Sequence, residues 1–266
     1  MSDPSPQPSA LSPPKAIDLN CDMGESFGAW RMGQDAEVMP WITSANIACG
    51  FHAGDFSTMQ QTVLLAKTHG VAIGAHVSLP DLQGFGRREL RVTPDEAYAM
   101  TLYQIGALAA FARAAGTRVA HVKPHGALYN MAAKDAALAG AIARATRDFD
   151  KDLILVGLAG SELPRAGAAI GLRIAHEAFA DRRYEIDGSL TPRREVGAVI
   201  HDIGAAVAQA IQIAAQAKVE TSGGETIDVR ADTICVHGDR TDAALFARSL
   251  RESLTACRIV VAAIRA

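Results

Sequence analysis

Short apolar runs alternate along the chain with longer segments of helical periodicity. Seven apolar runs predict strands, at residues 16–22, 42–50, 71–77, 118–124, 152–160, 171–179 and 232–239. Six segments predict helices, at 55–70, 93–116, near 135–148, near 161–170, 197–217 and 241–255. This alternation predicts a parallel α/β sheet covered by helices. About seven units suit a closed or nearly closed (β/α) barrel. An open doubly wound sheet is the alternative, because periodicity does not distinguish closure from an open twist.

Local signals support two of these helices and add a hairpin. Asp55 is a plausible N-cap for the helix that follows it. Thr93 and Glu96, with Pro94 between them, form a capping-box signature at the start of the next helix. Gly223-Gly224 predicts the turn of a hairpin after the helix at 197–217.

Polar residues gather at the carboxyl ends of the predicted strands. They occur in the segments NCDMGE, ACGFHAGD, GAHVSLPD, HVKPHG, HEAFADR and VHGDR. In a parallel barrel these ends share one face, and that face carries the active site. Because side chains alternate with a period of two, Asp18, Asn20 and Asp22 share one direction. The pattern predicts an enzyme site where these segments converge.

The segment HVKPHGALYN, residues 121–130, carries the densest of these clusters. His121 and Lys123 share a direction, and His125 continues the series. Burying these three groups together is costly unless they are paired or take part in chemistry. We expect them to project into the pocket, with Pro124 and Gly126 turning the chain at its mouth.

Each candidate also has a structural interpretation. A single histidine at a strand end is often a satisfied structural group, and Lys123 could be half of a buried ion pair. Asp55 could be only a helix cap. The glycines of GESFG, CGFHAGD and GFGRR could serve turns alone. Six polar clusters at one topological position are poorly explained in this way, and together they favour a site.

Metal binding is a further alternative for the same residues. The candidate oxygen and nitrogen ligands for a divalent ion are His52, Asp55, His76, His121, His125 and His237. The sequence has no HExxH motif and no GxSxG elbow. Cys49 lies three residues before His52, but core filling is its better interpretation. Because GxxxxGK[ST] and a helix-opening GxGxxG are also absent, we expect any ATP to bind another protein.

Composition narrows the class of protein. Among 266 residues, Lys and Arg number 26 and Asp and Glu 29, so no basic excess suggests nucleic acid or an anionic membrane as partner. No apolar run approaches the ~18 residues that span a bilayer. Residues 1–15, rich in Pro and Ser, predict a disordered leader, which leaves 16–266 as one barrel domain. Four widely spaced cysteines are expected to be reduced thiols in a cytoplasmic protein.

Six segments carry a family likeness. They are DLNCDMGESFGAW, SANIACGFHAGD, PDLQGFGRR, HVKPHGALYN, FADRRY and CVHGDR, and they resemble the LamB/YcsF family, described as the A component of prokaryotic 5-oxoprolinase. The likeness runs from about Asp18 to the C-terminus, with the motifs in family order. One departure is GAHVSLPD in place of the usual GAHPGYPD, which alters the loop after His76 at Val77, Ser78 and Leu79.

The resemblance implies an irregular seven-stranded (β/α) barrel akin to the polysaccharide deacetylases. It also implies ATP-dependent opening of the lactam of 5-oxo-L-proline to L-glutamate, a hydrolysis of a cyclic amide C–N bond. Partner subunits B and C are implied, with ATP and Mg²⁺ expected on the partners. A divalent metal in the barrel stays open. This chain would then supply acid–base groups and oxyanion stabilisation for ring opening.

We assign roles to these residues as a hypothesis. Asp22, or Asp18 beside it, orients or deprotonates water, while His52 and His76 relay protons or bind a metal. Lys123 stabilises developing negative charge or a phosphate, together with Arg87 or Arg182. The other expected catalytic residues are Asn20, His121, His125 and Glu177. The expected substrate- or phosphate-binding residues are Glu25, Asn46, Asp55, Arg87, Arg182, His237 and Asp239.

Two other functions remain open at this point. A metal-dependent deacetylase or amidase of a small amide or acetylated sugar would need a divalent ion and no ATP. A non-catalytic subunit would only bind the lactam or dock to a catalytic partner. Mutants of Asp22 and His125 would separate these, since a binding module should lose affinity and turnover together.

Overall fold

Seven parallel strands close into a barrel in the computed structural model of the chain, which describes residues 16–236, 238 and 241–264. The strands of the chain are β1 (Ala16–Met23), β2 (Ser44–Ala48), β3 (Ala72–Val77), β4 (Val119–Pro124), β5 (Ile154–Leu158), β6 (Arg173–Phe179), β7 (Lys218–Glu220), β8 (Thr226–Asp228), β9 (Thr233–Val236) and β10 (Val260–Val261). The barrel order is β1-β2-β3-β4-β5-β6-β9, and β9 pairs with β1 to close it. The predicted seven-stranded (β/α) barrel is confirmed, and the open sheet is wrong. The predicted leader, residues 1–15, lies outside the described residues.

Helices connect the strands on the outside of the barrel. They are α1 (Asp35–Val38), α2 (Phe56–His69), α3 (Pro94–Ala114), α4 (Gly126–Ala132), α5 (Ala136–Phe149), α6 (Glu162–Ala169), α7 (Ile203–Gln216) and α8 (Ala243–Ala256), with a 3-10 turn at Met39–Trp41. None of the helices among the described residues has the length and apolar character that crossing a membrane requires.

The helix starts follow the capping chemistry of the sequence. Asp55 caps α2 by accepting a hydrogen bond from the backbone N–H of Thr58, and Thr93 and Glu96 form the full capping box of α3. The helix predicted from residue 197 begins only at Ile203, because Asp202 is its cap and accepts from the backbone of Ala205. Helix α4 was not predicted, since it follows β4 with a single residue between them.

A two-stranded sheet and one short strand added to β1 complete the described fold. β7 and β8 form the predicted antiparallel hairpin, and Gly224 adopts φ +89° in its turn. β10 runs parallel to the start of β1. Because β10 is only two residues long, the apolar pattern did not reveal it.

The two faces of the barrel strands differ in chemistry. In β1, Leu19, Cys21 and Met23 belong to the main apolar core that packs against the helices. The alternate residues Asp18 and Asn20 are also buried, but their side chains face the barrel interior and bond to Ser44 and Thr233 on the neighbouring strands β2 and β9. The barrel is therefore filled largely by polar groups, which positions them for the site at its carboxyl end.

Candidate active site

A cavity of about 810 Å³ opens where the carboxyl ends of the barrel strands meet. The predicted site residues that line it are Asp22, Glu25, His76, Arg87, Lys123, His125 and Arg182. These residues come from the ends of β1, β3, β4 and β6 or from the loops that follow. The structure thus brings together side chains that the sequence separates by up to 160 positions, from Asp22 to Arg182.

Lys123 lies at the base of this cavity and is almost fully buried. Its Nζ lies 2.9 Å from Asp22 Oδ1, 2.8 Å from Glu177 Oε1, 3.1 Å from Asn20 Oδ1 and 3.1 Å from Cys235 Sγ. Burial alone would lower the pKa of Lys123, but the charges led by Asp22 hold it well above its usual range. Lys123 is therefore a fixed ammonium ion with two carboxylate partners, and the ion-pair interpretation describes its environment.

Asp22 connects this cation to the neighbouring histidines. Its Oδ1 also accepts a hydrogen bond from Asn46 Nδ2 at 2.9 Å, and its Oδ2 lies 3.2 Å from His76 Nε2. The side chain of Asp22 is 11% exposed, whereas that of Glu177 is fully buried. Of the two carboxylates that hold Lys123, only Asp22 can therefore reach a ligand in the cavity.

Glu25, His52, His76 and His125 form a compact buried cluster beside Asp22, which we call the histidine cluster. One ligand atom from each residue can be chosen so that all four lie within 4.8 Å of one another. The rings of His52 and His125 stack at 3.9 Å, and Glu25 Oε1 lies 3.6 Å from His52 Nε2. Three imidazoles and a carboxylate form a ligand set that suits a divalent transition metal.

Backbone carbonyls fix the protonation of two rings in the histidine cluster. His76 Nδ1 lies 3.0 Å from the carbonyl oxygen of Lys123, and His125 Nε2 lies 2.9 Å from that of Phe85, so each of these nitrogens donates. In the neutral rings, His76 Nε2 and His125 Nδ1 then carry lone pairs, and they are 3.0 Å apart. Two lone pairs at this distance repel unless a proton or metal ion lies between them. Carbonyl partners of this kind are the usual outer shell of metal-binding histidines.

His52 adds an independent observation. Its two ring nitrogens are buried, and neither has a hydrogen-bond partner among the described residues. Burial, followed by the charges of the neighbouring histidines, lowers the pKa of His52 well below its usual value, so the ring is neutral. Because buried polar atoms almost always have partners, this ring also suits a bound cation.

Gly86 in GFGRR explains how the loop after β3 can cover this cluster. Its φ is +64°, and a Cβ atom there would lie 2.8 Å from His52 Cβ and 2.9 Å from His125 Cδ2. A side chain would therefore push the loop away from both rings. The glycine holds the preceding carbonyl, that of Phe85, against His125.

Asp18 lies deeper in the barrel than the cavity. Its Oδ1 accepts from the hydroxyls of Thr43 and Ser44, and its Oδ2 accepts from Thr233 at 2.5 Å. Burial raises the pKa of Asp18 above its usual value. With its oxygens fully used and no surface on the cavity, Asp18 supports the barrel interior.

His121 and Asn46 occupy the layer between Asp18 and Lys123. His121 Nε2 lies 2.8 Å from Asn46 Oδ1, and Asn46 Nδ2 donates to Asn20 Oδ1 at 2.7 Å. Burial, then the charge of Lys123, lowers the pKa of His121 to about 3, so its ring is neutral. Gly74 leaves room for that ring, since a Cβ would lie 1.9 Å from its Nε2.

The remaining candidates lie apart from the cavity or outside the described residues. Asp55 accepts hydrogen bonds from the backbone of Thr58 and Gly28, both at 2.7 Å, and serves as a helix cap. His237 and Asp239 lie outside the described residues. The residues of the altered loop, Val77, Ser78 and Leu79, are buried and do not line the cavity.

Several residues of the cavity wall were not predicted. They are Glu89, Tyr129, Lys134, Arg165, Asp187, Arg193 and Arg194. Tyr129 stands within the quoted segment HVKPHGALYN, and burial followed by the charge of Glu177 raises its pKa well above its usual value. The basic residues lie on α6 and on the connections before α5 and after β6, whose paths over the cavity the sequence pattern does not reveal.

Comparisons of the sequence and of the structure with known proteins point to the same family. The profile of the LamB/YcsF family matches residues 17–266. A protein of Bordetella pertussis, named as the A component of 5-oxoprolinase, is 61% identical over 239 residues, 90% of this chain and 95% of the relative. One of Methylococcus capsulatus with the same name is 60% identical over 250 residues, 94% of this chain and 96% of the relative. The crystal structure of a lactam utilization protein from Thermus thermophilus is similar with a TM-score of 0.89 and 46% identity, over 94% of this chain and 100% of that one.

Proposed function

The chain belongs to the LamB/YcsF family, and from this membership we propose that it is the A component of a 5-oxoprolinase, which opens the lactam of 5-oxo-L-proline to L-glutamate. Relatives at 55–61% identity bear that name. The observation that carries the proposal is the network of Asp22, Lys123 and the histidine cluster at the mouth of the barrel. A fixed cation, an accessible carboxylate and a cluster suited to a metal ion are the groups that amide hydrolysis uses.

Partner subunits are part of this proposal. The relatives are named as one subunit of an enzyme, which implies other subunits in a complex. The chain carries no P-loop or dinucleotide motif, so the proposal assigns ATP and Mg²⁺ to partner subunits B and C. Transfer of a phosphoryl group from ATP to the carbonyl oxygen would remove the amide resonance of the lactam and make the carbonyl carbon more reactive toward water.

A divalent ion in the histidine cluster is the second part of the proposal. Glu25, His52, His76 and His125 would hold it, and the facing lone pairs of His76 and His125 support this assignment. When bound, such an ion polarises a carbonyl group and lowers the pKa of water.

Asp22 and Lys123 would carry out the hydrolytic step. Water adds its oxygen to the carbonyl carbon, and Asp22 accepts the proton that the water gives up. The Nζ of Lys123 stabilises the negative charge on the phosphorylated carbonyl oxygen. The C–N bond then breaks, and the ring nitrogen takes the proton from Asp22 as it leaves as the amine, while the added hydroxyl gives its proton to Asp22 and becomes the carbonyl group of an acyl phosphate. A second water hydrolyses this acyl phosphate to L-glutamate and inorganic phosphate.

The histidine cluster also favours one alternative, a metal-dependent amidase or deacetylase that needs no ATP. A purely substrate-binding subunit is less well supported, because it has no need of a carboxylate held between a cation and an imidazole.

Glutamate release tests the proposal. The assay contains 5-oxo-L-proline, ATP, Mg²⁺ and subunits B and C, with and without this chain. We expect release only with all components. Equal release without the chain would contradict the proposal, and turnover of a small amide by the chain and a divalent ion alone would favour the amidase.

A further inference from the structure

We infer that Arg182 binds the carboxylate of 5-oxoproline and so determines which lactams the site accepts. This inference rests on the proposed function. It concerns the part of the substrate that does not react, whereas Asp22 and Lys123 act at the carbonyl group.

Arg182 is a buried cation with no carboxylate at ion-pair distance among the described residues, although the charge of Asp181 acts on it from farther away. The residue is 5% exposed, and its Nη2 donates to the carbonyl oxygen of Thr191 at 2.6 Å. Within that part of the chain, its Nε has no hydrogen-bond partner and no carboxylate lies within ion-pair distance. Because a guanidinium carries five N–H donors and buried charges are normally paired, this side chain is suited to an incoming anion.

Its position suits a ligand that also reaches Lys123. Arg182 follows β6 in the chain and lines the same cavity as Lys123. The Nζ of Lys123 lies 5.7 Å from the centre of the Phe179 ring, and Phe179 is the last residue of β6, three positions before Arg182. In 5-oxoproline a single ring nitrogen separates the carbonyl carbon from the carbon that bears the carboxylate. A small lactam can therefore contact both cations at once.

The other arginines of the wall are less suited to this role. Arg165 is already paired with Glu162 at 2.6 Å, and its side chain is 65% exposed. Arg87, Arg193 and Arg194 are exposed to solvent, where an ion pair contributes little. Arg182 combines burial, available donors and a planar fork that matches a carboxylate.

The test compares two lactams in the complete three-subunit reaction. 5-Oxo-L-proline carries the carboxylate, and 2-pyrrolidinone is the same ring without it. We would measure KM and kcat for the first, and turnover or the inhibition constant for the second. The variants are Arg182→Met and Arg182→Lys, with Arg147→Met, an exposed arginine of α5 that does not line the cavity, as the control and thermal unfolding as the check on folding.

We expect Arg182→Met to raise KM for 5-oxo-L-proline by about 10- to 100-fold, with a smaller change in kcat, and to leave 2-pyrrolidinone unaffected. Arg182→Lys keeps the charge but loses the fork, so it should give a smaller increase, and it serves as the test if the Met variant does not fold. Arg147→Met should match the wild type.

The inference would be overturned if both folded Arg182 variants kept the wild-type ratio between KM for 5-oxo-L-proline and the inhibition constant for 2-pyrrolidinone. The proposed function would remain intact in that case. A second result would also overturn the inference: inorganic phosphate competes with the wild type but not with Arg182→Met, while KM for the lactam is unchanged. Arg182 would then be assigned to phosphate binding. Glutamate release that does not depend on the wild-type chain would overturn the proposed function itself, and with it this inference.

Discussion

Two layers of the barrel interior contain similar polar residues but differ in how fully these residues are hydrogen-bonded. In the lower layer, Asp18 is bonded to three hydroxyls and His121 to an amide. In the upper layer, His52 lacks hydrogen-bond partners among the described residues, and His76 Nε2 and His125 Nδ1 lie 3.0 Å apart with a proton or a metal ion needed between them. The polar groups of the lower layer are satisfied within the protein, whereas those of the upper layer are suited to a bound cation. Residue type alone therefore does not mark the site; incomplete bonding at an open cavity does.

The largest effect is expected from replacing Lys123, which bonds to Asp22 at the cavity and to the fully buried Glu177. Lys123→Met should reduce glutamate release by at least about 10³-fold, because it removes the charge that stabilises the carbonyl oxygen. It should also cost about 3–5 kcal/mol of unfolding free energy, since Glu177 becomes an unpaired buried charge. Steady-state kinetics and urea unfolding measure the two losses.

Two further variants separate these losses. Lys123→Met combined with Glu177→Gln should recover much of the stability and none of the activity. Lys134→Met removes an exposed lysine from the same cavity wall and should leave both unchanged. Wild-type turnover in a folded Lys123→Met protein would make Lys123 structural and refute its assigned role.

The next comparison pairs the carboxylates of the two layers. Asp22→Asn should lower kcat by about 10²- to 10⁴-fold because it removes the proton acceptor. Asp18→Asn should lower the thermal midpoint, since the amide cannot accept from all three hydroxyls, yet keep kcat per folded molecule. If Asp18→Asn instead abolished turnover at full stability, the division into two layers would be wrong.

The lower layer should also set a pH dependence of stability. The pKa of His121 is lowered to about 3 in the folded protein, against about 6.5 when unfolded. Its contribution is therefore fully present above pH ~6.5 and is lost as the pH falls toward 3, at up to about 1.4 kcal/mol per pH unit. Urea unfolding between pH 7 and pH 5 measures this slope, which His121→Asn should reduce. An equal slope in the variant would show that other groups cause it.

The smallest effect is expected at the helix cap. Asp55→Ala should cost about 1 kcal/mol of unfolding free energy, because the N–H of Thr58 loses its acceptor. Glutamate release should be unchanged. Asp55→Ser is the matched control, since it restores a capping oxygen, and a loss of turnover at normal stability would give Asp55 a role in the site after all.

The sequence predicted the barrel because its signals are local and repeated. Alternating apolar and helical runs predicted the seven strands, and capping residues located the starts of α2 and α3. The start of α7 was predicted six residues early, since Asp202 was not recognised as its cap. The short helix α4 was not predicted, because it begins within the polar segment HVKPHGALYN and shows no helical periodicity of its own.

The site was only partly predictable, for a geometric reason. Alternation showed that Asp18, Asn20 and Asp22 share a direction, but not how high each lies in the barrel. Asp18 is four residues before Asp22, which places it ~13 Å lower along the strand. Only closure of the barrel shows that one reaches the cavity and the other does not.

Long-range contacts were beyond the sequence altogether. The need for glycine at position 74 comes from the ring of His121, and the cavity wall at Arg165 depends on the path of α6. Neither relation leaves a pattern in neighbouring residues. Arg182 was a candidate from its segment FADRRY, but its lack of a carboxylate partner among the described residues appears only in the folded chain.

Metal analysis of the purified protein tests the contrast between the two layers most directly. Wild-type chain, loaded with Zn²⁺, Mn²⁺, Co²⁺ or Ni²⁺ and then dialysed, should retain about one ion per molecule of at least one of these metals by mass spectrometry. His125→Ala should lose it, and His121→Asn, in the lower layer, should keep it. If the folded wild type retains none of the four metals, the upper layer is not a metal site and the account of it is wrong.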